Sequence, residues 1–322
     1  MRRYTAKNIV LSVAILLLLA VAVICAVHLF QPAVLPDRNV TSTKTIERNG
    51  VKYFPRQDIT TFLIMGIDKE GKVESGDSYN NDGEADVVVV VVVDETNECY
   101  DILCLNRDTM VDIPVLGVGG RPAGTVNAQL ALSHTYGSGL KDSCENTEKT
   151  VSDFLYGIDI DYYVAFNMDA IGILNDAVGG VTVNVSDDFS AIDPSIQKGS
   201  VTLNASQAVN FVRTRKGLGD QMNLSRMERH KEYMNGFFRA LGSKLNESTG
   251  FAIDAFNQVS DYMVTDCSAE ALANFANRYA DYTVDEIVSP DGENVRGDEF
   301  MEFYPDKDKL DSLILRLFYA EK

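Results

Sequence analysis

The sequence predicts an α/β fold: a layered α/β/α domain with a central mixed sheet, preceded by one N-terminal transmembrane helix. Three observations carry that prediction. Strand-like and helix-like segments alternate through residues 162–211, which is the pattern of an α/β layered domain. Residues 87–93 are seven consecutive valines, a β-branched run that favours a strand buried on both faces. Residues 9–27 are uncharged and apolar apart from Ser12, which suits a bilayer-spanning helix of ~20 residues.

The elements follow in order. Arg2, Arg3 and Lys7 precede the apolar run, so residues 1–8 read as a cytoplasmic tail and 9–30 as the anchor. A cleaved signal peptide has a shorter apolar region, ~7–15 residues. Ile24 stands before Cys25, where a lipoprotein processing site wants a small residue. Residues 31–42, with Pro32 and Pro36, read as a stalk, and 43–322 as an extracytoplasmic catalytic domain with C-terminal helices. The expected location is therefore the cell membrane, single-pass, with the N-terminus in the cytoplasm.

Asn49-Gly50 favours a hairpin turn between residues 45–48 and 51–54. Residues 61–65 read as a buried strand that runs into Gly66-Ile67-Asp68, an acid just past the end of a central strand, where α/β sheets place chemistry. After a polar loop, 69–82, the valine strand turns at 94–98 into its hairpin partner, 100–105. A hairpin sets the start of one strand beside the end of the next, so Asp86 and Arg107 should share an edge. Asp68 joins them if 62–65 runs parallel to 100–105, which the sequence leaves open. Helices are expected at 126–139, at 143–156 with Gly157 as its C-terminal cap, and at 168–178. Strands are expected at 162–166 and 181–185, and further helices at 206–211, 226–245, 250–263, 268–279 and 307–319.

Composition narrows the function. A chain of 322 residues, 45% hydrophobic and 24% charged, can bury a sizeable core. Its net charge of −18 excludes a nucleic-acid surface, which wants a basic face, and argues against lying flat on anionic lipid. Against that background Arg213, Arg215, Lys216, Arg226, Arg229 and His230 form a local basic cluster. On an extended segment Arg213 and Arg215 share a face. On a helix Arg226, Arg229 and His230 share one too, and Gly217 and Gly219 let the chain fold back between them. Guanidinium forks match phosphate oxygens two at a time, so converging arginines point to a dianionic or pyrophosphate ligand. The alternative is a solvated face paired with the abundant carboxylates. Cys99, Cys104, Cys144 and Cys267 admit either two disulfides or buried thiols.

Gly66-Ile67-Asp68, Asp86 before the valines, the run from Asn106-Arg107-Asp108 to Pro114, Gly179-Gly180-Val181, and Arg213-Thr214-Arg215 with Arg226 and Arg229 stand in that order. Together, behind a single span, they resemble the LytR-CpsA-Psr family of membrane-anchored cell-wall enzymes, over residues 62–233. The resemblance implies transfer of a phosphorylated glycan from a polyprenyl pyrophosphate carrier onto peptidoglycan, outside the membrane, with Mg²⁺. On this chain it implies Asp68 and Asp86 as metal-binding carboxylates and Arg107, Arg213, Arg215 and Arg226 as pyrophosphate-binding arginines, with Arg229 and His230 beside them. Three positions depart from the family pattern: Glu84-Ala85-Asp86 stands where Arg-Ser-Asp is common, Asn223 where Asp is common, and His230 where Gln is common.

Such chemistry develops charge on phosphate oxygens, which fixed cations stabilise. Arg107 would act on the reacting phosphate, and Asp108, Asp220 or His230 would accept the acceptor hydroxyl's proton. Each of the three has a structural alternative: a strand-end hydrogen bond, an arginine-orienting ion pair and a surface helix position, respectively. A polyprenyl tail needs an apolar groove, for which residues 126–132, 166–174 and Phe211 are candidates or ordinary core. The rival readings are a non-catalytic binder or regulator of anionic envelope polymers, and a lipid-pyrophosphate hydrolase.

Overall fold

The valine run is the middle of the protein. In this computed structural model it belongs to β4 (Ala85–Asp94), between β3 (Ile59–Ile67) and β5 (Cys99–Leu105), both antiparallel to it. The structure describes residues 45–214 except 49, 77, 78, 80, 118 and 119; then 229, 232, 233, 235–237, 239–241, 243, 244, 247 and 248; and 250–321 except 280, 281 and 299. The expected tail, anchor and stalk lie outside the described residues, as do Arg215, Asp220, Arg226 and His230.

Alternation along β4 divides the core. Val87, Val89, Val91 and Val93 face one apolar layer, and Val88, Val90 and Val92 face the other. Each fully buried valine contributes ~1.5 kcal/mol or more. On the β3 side two strands extend the sheet: β8 (Tyr162–Phe166) runs parallel to β3, and β11 (Met263–Thr265) lies antiparallel outside β8. Beyond β5 lies β12 (Thr283–Val288), parallel to it. Among the described residues the sheet is therefore mixed and six-stranded, in the order β11-β8-β3-β4-β5-β12.

One face is covered by α2 (Asp169–Ala177), α3 (Ala205–Arg213), α4 (Phe251–Val259) and α5 (Ala269–Arg278), through Leu174, Phe211, Val259 and Phe275 among others. The other is covered by α1 (Lys141–Phe154) and α6 (Lys307–Phe318), through Cys144, Val151, Ile314 and Leu317. The layered α/β/α architecture and the mixed sheet are as expected, and the strand expected at 181–185 forms as β9 (Val181–Val185), paired antiparallel with β10 (Gly199–Leu203) in a separate hairpin. The N-terminal hairpin also forms, as β1 (Ile46–Arg48) and β2 (Val51–Pro55) around Gly50 at φ +80°, with β15 (Tyr319–Glu321) added on β2. Helix α1 ends one turn before Gly157, whose φ of +80° lets its N–H return to Ser152 O.

Several expectations are corrected. Residues 126–139 are not a helix: β7 (Pro122–Gln129) pairs antiparallel with β6 (Met110–Leu116), and Leu130–Thr135 is a short 3₁₀ turn. Ala, Gln and Leu favour a helix locally, but the cross-strand ladder to β6 overrides that preference. The helix expected at 250–263 stops at Val259, and Met263 already belongs to β11. Arg213 is not on an extended segment. It closes α3, whose start is fixed by a capping box between Asn204 and Gln207. Strand β12 and the hairpin of β13 (Gly292–Arg296) and β14 (Met301–Pro305) were not expected, because they are short, charged and largely exposed. Cys99, Cys104 and Cys144 are free thiols, so among the described residues two disulfides do not form. Cys104 and Cys144 lie in apolar layers on opposite faces of the sheet, and burial pushes the Cys104 thiol up to about 12.

Candidate functional site

Because β3 and β5 both run antiparallel to β4, they run parallel to each other. The end of β3, the start of β4 and the end of β5 therefore meet at one edge, which answers the question the sequence left open about Asp68. Asp68 donates its backbone N–H to Glu84 O at 2.9 Å, directly beside the Ile67–Ala85 register shift. That bulge inserts Asp86 between residues of the two apolar layers.

Arg107, just beyond β5, turns back over the start of β4. Its Nη1 donates to Asp86 Oδ1, its Nη2 donates to Glu84 Oε2 at 2.5 Å, and its Nε lies 3.6 Å from Asp108 Oδ1. From the opposite side Arg213, at the end of α3, reaches Glu70 Oε1 at 2.6 Å and Asp68 Oδ1 at 3.6 Å. Two arginines from distant parts of the chain thus close on neighbouring carboxylates at one sheet edge. All remain open to solvent: the side chains of Asp68 and Arg213 are 52% and 39% exposed, those of Asp86 and Arg107 22% and 29%.

Other expected site residues serve the scaffold. Asp108 Oδ1 accepts from Gln129 Nε2 at 2.9 Å, and its carbonyl accepts from Phe303 N–H, which ties β14 to the segment after β5. Arg229, expected among the pyrophosphate ligands, is 3% exposed. Its guanidinium donates to Asp187 Oδ2 at 2.5 Å, to Phe211 O at 3.1 Å and to Thr214 O at 2.6 Å, and it lies over the Phe189 ring. Through the Phe211 and Thr214 carbonyls it holds the C-terminal end of α3, the segment that carries Arg213. Of the two readings of the apolar segments, ordinary core holds for Leu130, Phe166, Leu174 and Phe211, all of them buried. Beside the edge lies a small, partly open cavity bordered by Ile67, Val73, His134 and Asn167.

Glu70, Glu84 and His134 were missed as members of the site. Nothing in single-sequence periodicity marks Glu70. Glu84 was visible as a departure from the family pattern. Buried His134 donates from Nδ1 to Gly83 O at 2.8 Å and so fixes the residue before Glu84. Burial pulls its pKa down to about 4 against the opposing pull of the Gly83 carbonyl, so the ring is neutral at pH 7.

The donor chemistry of Asp68 and Asp86 fits Mg²⁺, a hard cation that takes one or two carboxylates and keeps waters and ligand phosphate for its other positions. Among the described residues no set of three or more His, Cys, Asp or Glu is arranged to cage a metal.

The sequence pattern of the LytR_cpsA_psr family matches residues 31–315. The chain belongs to the LytR-CpsA-Psr family. A relative from Bacillus subtilis, polyisoprenyl-teichoic acid–peptidoglycan teichoic acid transferase TagU, is 28% identical over 224 residues, covering 70% of this chain. The Enterococcus faecalis protein of the same name is 30% identical over 219 residues, or 67% of this chain. The matches span 65% and 64% of those two relatives' own lengths. The fold is shared with the crystal structure of protein gbs0355 from Streptococcus agalactiae, with a TM-score of 0.62, 24% identity, and coverage of 81% of this chain and 86% of that one.

Proposed function

We propose that this family member is a membrane-anchored phosphotransferase that moves a phosphoglycan from a polyprenyl pyrophosphate carrier onto peptidoglycan. The observation that carries this reading is the edge itself, where Arg107 and Arg213 converge on Asp86 and Asp68 and stay accessible. The activity for which the Bacillus subtilis and Enterococcus faecalis relatives are named, teichoic acid transfer to peptidoglycan, supports it. In this reading Arg107 and Arg213 hold the diphosphate oxygens, and Arg215 and Arg226 add to that grip. Guanidinium groups fixed before the reaction stabilise the charge that develops on the leaving diphosphate. Asp68 and Asp86 are the residues that would hold Mg²⁺, which when bound would neutralise part of the diphosphate charge. Asp220 or His230 takes the proton of the acceptor hydroxyl, since Asp108 is held by Gln129. Residues 9–30 anchor the chain, with the N-terminus cytoplasmic and the domain outside the membrane.

The test uses full-length protein in detergent with a lipid-linked phosphoglycan donor and peptidoglycan fragments. Wild type should form a covalent glycan–peptidoglycan conjugate, and Arg107→Ala and Arg213→Ala should not. Release of free phosphoglycan would mark a hydrolase instead, and donor binding without any product would mark a binding protein.

A further inference from the structure

Arg107 carries more negative charge than it needs. Asp86 and Glu84 occupy its two terminal nitrogens, and Asp108 lies against Nε. A phosphate group can use that fork two-handed only if the terminal nitrogens are given up. Asp108 is not the group to move, because Gln129 holds the same oxygen and the backbone ties it to β14. Glu84 is different. Its side chain is 40% exposed, and exposed ion pairs are weak and exchange readily. Its backbone, by contrast, is fixed, with its carbonyl accepting from both Asp68 and Asp86 N–H groups and His134 holding the preceding carbonyl. A rooted residue with a releasable carboxylate on the key guanidinium is built as a latch.

We propose that Glu84 is an acidic latch on Arg107, keeping pyrophosphate off this guanidinium until a divalent cation draws the carboxylates away. The inference rests on the pyrophosphate reading of the site and deepens it. Diphosphate and cation then engage Arg107 together, and anions that arrive without a cation are rejected. The carboxylate oxygens of Glu84 and Asp86 are the hard donors such a cation prefers. Glutamine at position 84 keeps the shape and loses the charge, so Nη2 of Arg107 stays open to an anion with or without the cation, while Asp86 still holds Nη1.

The experiment titrates inorganic pyrophosphate into full-length protein by calorimetry, in EDTA and at fixed free Mg²⁺. Wild type, Glu84→Gln, Glu84→Ala, Arg107→Ala and the Glu84→Gln/Arg107→Ala double variant are compared. In EDTA both Glu84 variants should bind at least tenfold more tightly than wild type. With Mg²⁺ the gap should close, and in the Arg107→Ala background Glu84→Gln should give no gain. Equal affinity of wild type and both Glu84 variants in EDTA overturns the latch alone. So does a gain that survives without Arg107, since it would come from net charge and not from that guanidinium. Failure of every protein to bind pyrophosphate under both conditions overturns the pyrophosphate reading and the latch with it.

Discussion

The two edges of the central sheet use the same side chains for opposite ends. At the start of β3, Arg56 sits between Asp58 at 2.9 Å and Asp94 at 2.5 Å, with Asp94 side chain only 7% exposed. Asp94 also accepts from Thr96 N–H, Asn97 N–H and Asn97 Nδ2, so its oxygens are saturated. Arg278, Tyr279 and Thr60 close around Glu95 beside it. At the end of β3, Arg107 and Arg213 face Asp68, Glu70, Glu84 and Asp86, with negative charge in excess and every member partly solvated. The Arg56–Asp94 pair at the centre of the first cluster is buried and saturated, a structural rivet, because a buried charge stripped of its partner is costly. A cluster with no such buried, saturated centre can trade one partner for another, which is what an anion site must do.

Mutations on the two edges should separate accordingly. Arg107→Ala should lower transfer by ~10²–10³-fold, the usual cost of losing one charge-stabilising donor, while its melting temperature stays near that of wild type. Arg56→Ala should do the reverse. It strands Asp94 and should cost about 3 kcal/mol in denaturant unfolding, with transfer per folded molecule retained. If Arg107→Ala unfolds the protein and Arg56→Ala abolishes transfer in folded material, the comparison is broken.

Titration sharpens the same contrast. Burial of Asp94 pushes its carboxyl up, but Arg56 and Asn97 overcome this and hold it at about 2, below its ordinary range. Its contribution is therefore present above pH ~4 and is lost as pH falls toward 2, and Asp94→Asn should remove that acid limb of the stability profile. His134 also loses stability on acidification, but over a higher pH range. With a folded pKa of about 4 against ~6.5 unfolded, it costs stability as pH falls from 6.5 to 4. That loss should reach ~3 kcal/mol at pH 4, and His134→Gln should flatten it. The smallest effect belongs to Glu148 on α1, which burial and then Asp266, Glu145 and Asp161 push up to about 7. Its contribution is present below its ordinary pKa and is lost as pH rises through 7. Glu148→Gln should stabilise the protein at pH 8, by less than about 1 kcal/mol after solvent screening.

Much of this was legible in the residues. The valine run announces a strand buried on both faces because nothing else accommodates seven β-branched residues so well. The tight turn after it brought Asp86 beside Arg107, and only the direction of β3 was missing to add Asp68. What the sequence concealed depends on pairing between distant segments. Residues 126–129 lead into the helix-friendly Leu130-Ala131-Leu132, yet they become a strand because β6 is there to receive them. Arg229 looks like Arg226 in sequence, yet Asp187 and two carbonyls at the end of α3 consume it. Strand β12 carries its charges outward at a sheet edge, where hydrophobic alternation gives no signal.

The most direct test of the diphosphate edge is a crystal structure of the protein with a short-chain polyprenyl pyrophosphate. The account predicts diphosphate oxygens within hydrogen-bond distance of both Arg107 and Arg213, with Glu84 displaced from Arg107 and the isoprenoid leading away from the edge. A diphosphate bound elsewhere, with the pairs of Arg107 to Asp86 and Arg213 to Glu70 undisturbed, would contradict it.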